Sequence, residues 1–176
     1  MDTRLIFATQ LLASFVCYAL AARWYVAPRL AALPLRAALA ALLLPHLLRT
    51  IGAAFLVPGV VGEELPRTFA APAACGDLLA VLLALAALAA LRAGSPFAPG
   101  LVWLFNVEGT VDLLNALLQG TRLDLGRQYH LGPTWFIPTY LVPGWLVLHV
   151  LVFALLVARA GEYRALRAEP GVGSPS

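Results

Sequence analysis

Five ionisable side chains lie near the middle of long hydrophobic segments: His46, Arg49, Glu108, Asp112 and His149. A charged residue at the centre of a bilayer costs roughly 2.5–3.5 kcal/mol for Arg or Asp. Such residues therefore face a bundle interior or a watery cavity and mark sites of binding, catalysis or proton transfer. Because carboxyl and imidazole groups exchange protons, the candidate catalytic residues are Glu108, His46, His149 and Asp112.

Helical spacing predicts which of these side chains share a face. His46 and Arg49 are three residues apart, and Glu108, Asp112 and Asn115 recur every three or four residues along another segment. Residues at these spacings lie on one side of a helix. We therefore expect one polar face on each segment, both turned towards the bundle interior.

Depth, counted at about 1.5 Å per residue from each segment centre, predicts two polar layers. The outer layer places Arg49 between Asp77 and Asp112. The inner layer comprises the remaining acid–base groups: His46, Glu108 and His149. A substrate-binding or structural network is predicted from the surrounding polar residues and one aromatic residue: Arg49, Asp77, Asn106, Asn115 and Trp145.

Two histidines and a carboxylate also form a ligand set for Zn, Fe or Mn. His46, His149 and Glu108 are the candidate ligands of a divalent metal, although the chain has no HxxxH or HExxH motif. Haem ligation by His46 and His149 is disfavoured, because carboxyl groups beside an apolar haem are not expected. The sequence alone does not identify a cofactor.

Composition predicts that these residues lie in a membrane protein. The chain of 176 residues is 61% hydrophobic, with a mean hydropathy of +0.85. Its apolar runs predict one domain, residues 1–160, with five transmembrane helices at about 5–25, 36–57, 69–91, 101–119 and 135–158. The runs lack the alternation of a β-barrel, so the predicted fold is an all-α integral membrane bundle. Residues 161–176 are expected to form a short, polar, disordered tail.

The arginines predict an orientation. All 12 basic residues are Arg, and apart from Arg49 seven lie at one set of segment ends and four at the other. The positive-inside rule then places the N-terminus outside and the C-terminus in the cytoplasm, in a bacterial-type cytoplasmic membrane. Arginines confined to segment ends indicate topology and exclude a nucleic-acid-binding surface. The lipid bilayer is the expected partner.

The buried groups predict a membrane-embedded enzyme acting on a lipid-soluble substrate, such as an isoprenoid, a sterol-like molecule or an acyl chain. Acid–base chemistry by Glu108 and a histidine, or metal-assisted chemistry, would act on this hydrophobic ligand. Two alternatives stay open: a proton-coupled carrier or proton pathway, and a non-catalytic subunit of a larger membrane complex. Each of these three hypotheses is compatible with a homo-oligomer.

Overall fold

Five long helices make up most of the computed structural model, which describes residues 2–168. They are α1 (Thr3–Ala31), α2 (Leu35–Leu56), α3 (Arg67–Arg92), α4 (Ala98–Arg122) and α5 (Gly132–Ala158). A short helix, Leu125–Gln128, precedes α5. Residues 2–168 contain no β-strand. Each of the five predicted segments corresponds to one long helix, and each helix is long and apolar enough to cross a bilayer.

The chain after α5 forms another helix, Ala160–Ala168. Two hydrogen bonds fasten its start to the bundle. The Arg159 guanidinium donates to the Leu33 carbonyl at 2.8 Å, and the Tyr163 hydroxyl donates to the Pro99 carbonyl at 2.8 Å. Residues 161–168 are therefore helical where the sequence predicted a disordered tail, and residues 169–176 lie outside the described residues.

Four of the long helices form a closed ring. Helix α2 packs on α3, α3 on α4, α4 on α5, and α5 returns to α2. Helix α1 lies outside this ring, along α5, and buries only a narrow stripe that includes Ser14, Ala22 and Leu30. The predicted five-helix bundle is thus a four-helix core with one peripheral helix.

Two clusters of buried apolar side chains occupy opposite halves of the ring. One contains Leu42 and Val102, and the other contains Phe69 and Leu113. Buried polar residues from each helix of the ring lie between these clusters: His46, Arg49, Asp77, Asn106 and His149. They form a polar layer enclosed by apolar packing on both sides.

Helix α2 changes its winding at the polar layer. It is α-helical over Leu35–Leu43 and then continues as a 3₁₀ helix over Leu44–Leu56. Pro45, which has no N–H for the α-helical ladder, stands at the start of the 3₁₀ part. Three residues per turn align every third side chain. The buried row of this segment has that spacing: His46, Arg49, Gly52 and Phe55.

Loops of unequal length distinguish the two ends of the ring. The long-loop end carries residues 57–66 and 123–131, and the short-loop end carries residues 32–34 and 93–97. The long loops are joined where the Gly62 N–H donates to the His130 carbonyl at 2.7 Å. The His130 N–H also donates to the Glu64 carboxylate at 2.8 Å, and this bond lowers the pKa of Glu64.

Candidate functional site

Arg49 is the centre of the polar layer and is fully buried. Its Nε donates to Asp77 Oδ1 on α3 at 2.7 Å, and its Nη2 donates to Asp112 Oδ2 on α4 at 2.5 Å. A longer bond of 3.4 Å runs from Nη1 to the Gly109 carbonyl. Asp77 is 5% exposed, and the Asp112 side chain is 14% exposed. The guanidinium joins three helices, with the partners that sequence spacing placed at its depth.

Three glycines make room for this ion cluster. A Cβ added at Gly52 or at Gly76 would overlap the carboxylate of Asp77 or of Asp112, respectively. A Cβ added at Gly109 would lie 2.7 Å from the His149 ring and 2.8 Å from Arg49 Nη1. A residue larger than glycine at any of these three positions would therefore collide with a side chain of the ion cluster.

The two buried histidines are in ring contact inside the four-helix ring, with their planes tilted by 47°. His46 and His149 are both 0% exposed, and their ring centroids are 4.3 Å apart. The Phe105 ring contacts both, with centroids at 4.9 and 5.1 Å. Asn106 fixes His149 through its Oδ1, 2.7 Å from His149 Nδ1, and through its Nδ2, which donates to the His149 carbonyl at 3.2 Å. Asn106, which the sequence placed in the polar network, therefore ties α4 to α5.

Glu108 does not join the histidines as the inner layer predicted. Both His46 ring nitrogens, His149 Nε2 and Glu108 Oε2 are buried without a hydrogen-bond partner among the described residues. The charged neighbours of Glu108 are Arg49, Asp112 and Asp77. The carboxyl group lies by the ion cluster and not between the imidazoles, so the inner layer is wrong in this respect.

The described residues bring no three His, Cys, Asp or Glu side chains close enough together to hold a metal ion. The predicted ligands His46, His149 and Glu108 are therefore not assembled as a three-ligand site. The two imidazoles are in direct ring contact, which leaves no space for a haem plane between them.

Two further predicted network residues lie in different surroundings. The Trp145 ring lies against the Arg49 guanidinium, 5.9 Å from ring centre to Cζ, and its Nε1 donates to the Pro45 carbonyl at 3.2 Å. Trp145 therefore supports the ion cluster. Asn115 is exposed and does not lie in the buried polar layer.

An apolar pocket extends from the ion cluster towards the long-loop end. The pocket has a volume of about 40 Å³. Asp77 and Asp112 are the charged residues that line it. The other walls are almost entirely apolar and come from all five helices, for example Phe7, Leu117 and Ile137. A molecule with a polar end and an apolar body would match this distribution.

A second cavity of about 330 Å³ adjoins this pocket at the helix ends, and the two share Phe7, Leu11 and Leu125. The ion pair of Arg4 and Asp124 lies on its wall. The hydrogen bond from Arg4 lowers the pKa of the Asp124 carboxyl. The pocket thus lies beside a cavity with a charged wall at the long-loop end.

The sequence predicted an outer layer that contains Asp77 and Asp112 and an inner layer of His46, Glu108 and His149; only the two aspartates line the pocket. His46, His149 and Glu108 do not line it. The contribution of α1 was missed altogether, although Phe7 and Leu11 are four residues apart and therefore share a helix face.

Residues 6–157 match the family model described as Domain of unknown function (DUF8737). The chain belongs to this family. The match includes every residue of the ion cluster, the histidine pair and the pocket described above. No curated protein and no solved structure matches the chain.

Proposed function

We propose that this member of the DUF8737 family is an integral membrane protein whose five long helices cross the bilayer. Large apolar side chains are exposed along the outer faces of all five helices, for example Leu12, Leu48, Leu82, Val111 and Val150. Exposing so much apolar surface to water is unfavourable, whereas exposing it to the hydrocarbon core of a bilayer is favourable. The arginine bias supports an N-terminus outside and a C-terminus in the cytoplasm.

Within this arrangement the pocket is a binding site for a lipid-soluble molecule. The observation that carries the proposal is an apolar pocket whose charged lining consists of two carboxylates, Asp77 and Asp112, held by Arg49. Ligand sites combine apolar walls with a few placed polar groups in this way. Since carboxylate oxygens accept hydrogen bonds, they favour a ligand whose polar end is an alcohol or an amine.

The same geometry supports an enzyme that moves a proton on the bound ligand. Asp112 is the candidate acid–base group, because it lines the pocket and its side chain is partly exposed. Arg49 fixes one oxygen of Asp112, and Glu108 lies one helical turn away on the same face of α4. Three carboxyl groups around one guanidinium cannot all be neutralised by it, so the cluster is suited to holding an exchangeable proton.

The test is to identify apolar small molecules that co-purify with the protein, by mass spectrometry. Leu117→Trp fills the pocket, whereas Leu118→Trp adds the same ring at the next residue, which is 50% exposed on the outer face. We expect a specific molecule with wild type and Leu118→Trp, and its loss from Leu117→Trp. Equal retention by both variants would contradict the proposed pocket.

Turnover is tested once that molecule is known. Asp112→Asn should retain the fold and bind the molecule but lose its conversion. Conversion at the wild-type rate by folded Asp112→Asn would exclude Asp112 as the acid–base group.

A proton pathway is the second candidate function, and the unpartnered Glu108 Oε2 favours it. Intramembrane carboxyl and histidine groups are typical of proton relays. Liposomes containing the wild type should then acidify under an imposed pH gradient faster than liposomes containing Glu108→Gln. Equal rates for wild type, Glu108→Gln and empty liposomes would exclude this function.

A further inference from the structure

The ion cluster at the end of the pocket has more acidic than basic groups. Arg49 donates to Asp77 and Asp112, and the charged neighbours of Glu108 are these same three residues. One guanidinium therefore lies among three carboxyl groups. The described residues that line the pocket include no Arg, Lys or His, so no other side chain of the lining offsets the excess negative charge. A ligand with a positive charge would offset it.

We propose that the ligand of the pocket is an unbranched primary amine, bound as its ammonium ion. The inference rests on the proposed function of the pocket and narrows its ligand from alcohols and amines to one class. Like the side chain of lysine, an alkylamine has a pKa of about 10.4 and is positively charged at neutral pH. Carboxylates within a membrane pair with cationic groups, including charged ligands.

The remaining oxygens of the two aspartates match the donors of an ammonium group. Arg49 donates to Oδ1 of Asp77 and to Oδ2 of Asp112, and the second oxygen of each carboxylate accepts no hydrogen bond from residues 2–168. Asp77 is only 5% exposed, so its second oxygen lacks a partner inside the bundle. An ammonium group has three N–H donors and a hydroxyl has one, so only the ammonium has donors for both aspartates. Its hydrogen bonds to carboxylates are also about twice as strong as neutral ones.

The walls of the pocket favour an alkylammonium over a metal cation. Calcium and magnesium bind about six to eight oxygen ligands. Apart from the two aspartates, the described lining offers one side-chain oxygen, the hydroxyl of Thr121. The remaining walls are apolar, and they suit the carbon chain of an amine.

The narrow shape of the pocket indicates an unbranched chain. Asp112 and Thr121 both line it and are nine residues apart on α4, which corresponds to about 13.5 Å of helix. Over this length the pocket has a volume of about 40 Å³. Since a cavity needs about 10–15 Å³ for each water, this volume holds about three waters. An aliphatic chain fits such a channel, whereas the fused rings of a sterol are too wide for it.

Radioligand binding to the full chain in phosphatidylcholine nanodiscs measures this preference. The probe is tritiated dodecylamine, and the competitors are dodecan-1-ol, dodecanoic acid and a steroidal primary amine. We expect saturable binding above that of empty nanodiscs. Each competitor should displace the probe at least tenfold less effectively than unlabelled dodecylamine does, because the first two lack the positive charge and the third is too wide.

Two variants that each remove one carboxylate test the role of charge. Glu108 does not line the pocket, so Glu108→Gln lowers the negative charge of the cluster and leaves the lining unchanged. It should weaken dodecylamine binding on the order of tenfold and change the affinity for uncharged dodecan-1-ol little. The matched control is Glu63→Gln, at an exposed residue of a long loop, which should bind dodecylamine as wild type does.

The outcomes distinguish failure of this inference from failure of the pocket. If dodecan-1-ol or the steroidal amine competes as well as dodecylamine, and Leu117→Trp abolishes binding, the pocket stands and the unbranched ammonium ligand is wrong. Unchanged dodecylamine binding by folded Glu108→Gln would also overturn the inference. Absence of saturable binding, or equal binding by wild type and Leu117→Trp, would contradict both the inference and the proposed pocket.

Discussion

Replacing Arg49 by Met should destabilise the protein strongly, because it leaves two carboxylates without their cation. Arg49 is fully buried and donates to Asp77 at 2.7 Å and to Asp112 at 2.5 Å. Hydrogen bonds between charged groups contribute about 1.5–3 kcal/mol each. Removing one partner of a buried ion pair costs about 3–5 kcal/mol. We therefore expect Arg49→Met to lose about 3–5 kcal/mol of unfolding free energy.

A charge-neutral variant distinguishes the effect of the buried charges on stability from the effect of side-chain packing. Arg49→Met combined with Asp77→Asn and Asp112→Asn removes all three charges, and its stability should return to within about 2 kcal/mol of wild type. Unfolding by SDS in mixed micelles, followed by the fluorescence of the four tryptophans, measures each variant. Arg127→Met, at an exposed arginine, is the control and should unfold as wild type does. The reasoning is refuted if Arg49→Met loses less than about 1 kcal/mol, or if the triple variant is as unstable as the single one.

Two further predictions concern the glycine beside the cluster and the mouth of the pocket. Gly76→Ala places a methyl group where the Asp112 carboxylate lies and should lower the unfolding free energy by about 1–3 kcal/mol in the same assay. In the control, Gly100→Ala, the added methyl group enters open space and should not destabilise the protein. Equal stability of the two variants would contradict the packing described. Because Arg4 lowers the pKa of Asp124, their ion pair stabilises the fold above the ordinary carboxyl pKa of about 4, and this stabilisation is lost as the pH falls through the folded-state pKa. The thermal midpoint of wild type should therefore fall more between pH 5 and pH 3 than that of Asp124→Asn, and equal falls would contradict this assignment.

The ion cluster could be predicted from the sequence because it depends on depth and helix face, which chain position determines. Arg49, Asp77 and Asp112 lie at similar distances from the centres of their hydrophobic segments, and a lone buried cation needs anionic partners. In the structure Arg49 donates hydrogen bonds to both Asp77 and Asp112.

The neighbours of the histidine pair could not be predicted from depth and helix face. His46 and His149 do meet, but their neighbours are Phe105 and Asn106 instead of Glu108. Which residues of α4 face α5 depends on the rotation of α4 in the ring, and a stripe of acids alone does not determine that rotation. The 3₁₀ winding of α2 was not predicted either, although it is what aligns every third buried residue.

The position of α1 outside the ring was not predicted from the sequence either. Length and hydropathy do not show which segment lies outside the ring, although the first is the segment that carries none of the candidate site residues. The structure shows α1 outside, with Phe7 and Leu11 closing one wall of the pocket. That placement depends on side-chain packing between helices distant in sequence.

Photolabelling tests the proposed pocket most directly. The probe is a long-chain primary amine that carries a diazirine, reconstituted with the full chain in lipid nanodiscs, and the labelled residues are mapped by mass spectrometry. We predict saturable labelling at pocket residues such as Leu113 and Leu117, which is lost from the charge-neutral variant Arg49→Met/Asp77→Asn/Asp112→Asn while the helices stay folded. Labelling confined to outward-facing residues such as Leu118, and unchanged in that variant, would contradict a ligand pocket that ends at the two carboxylates.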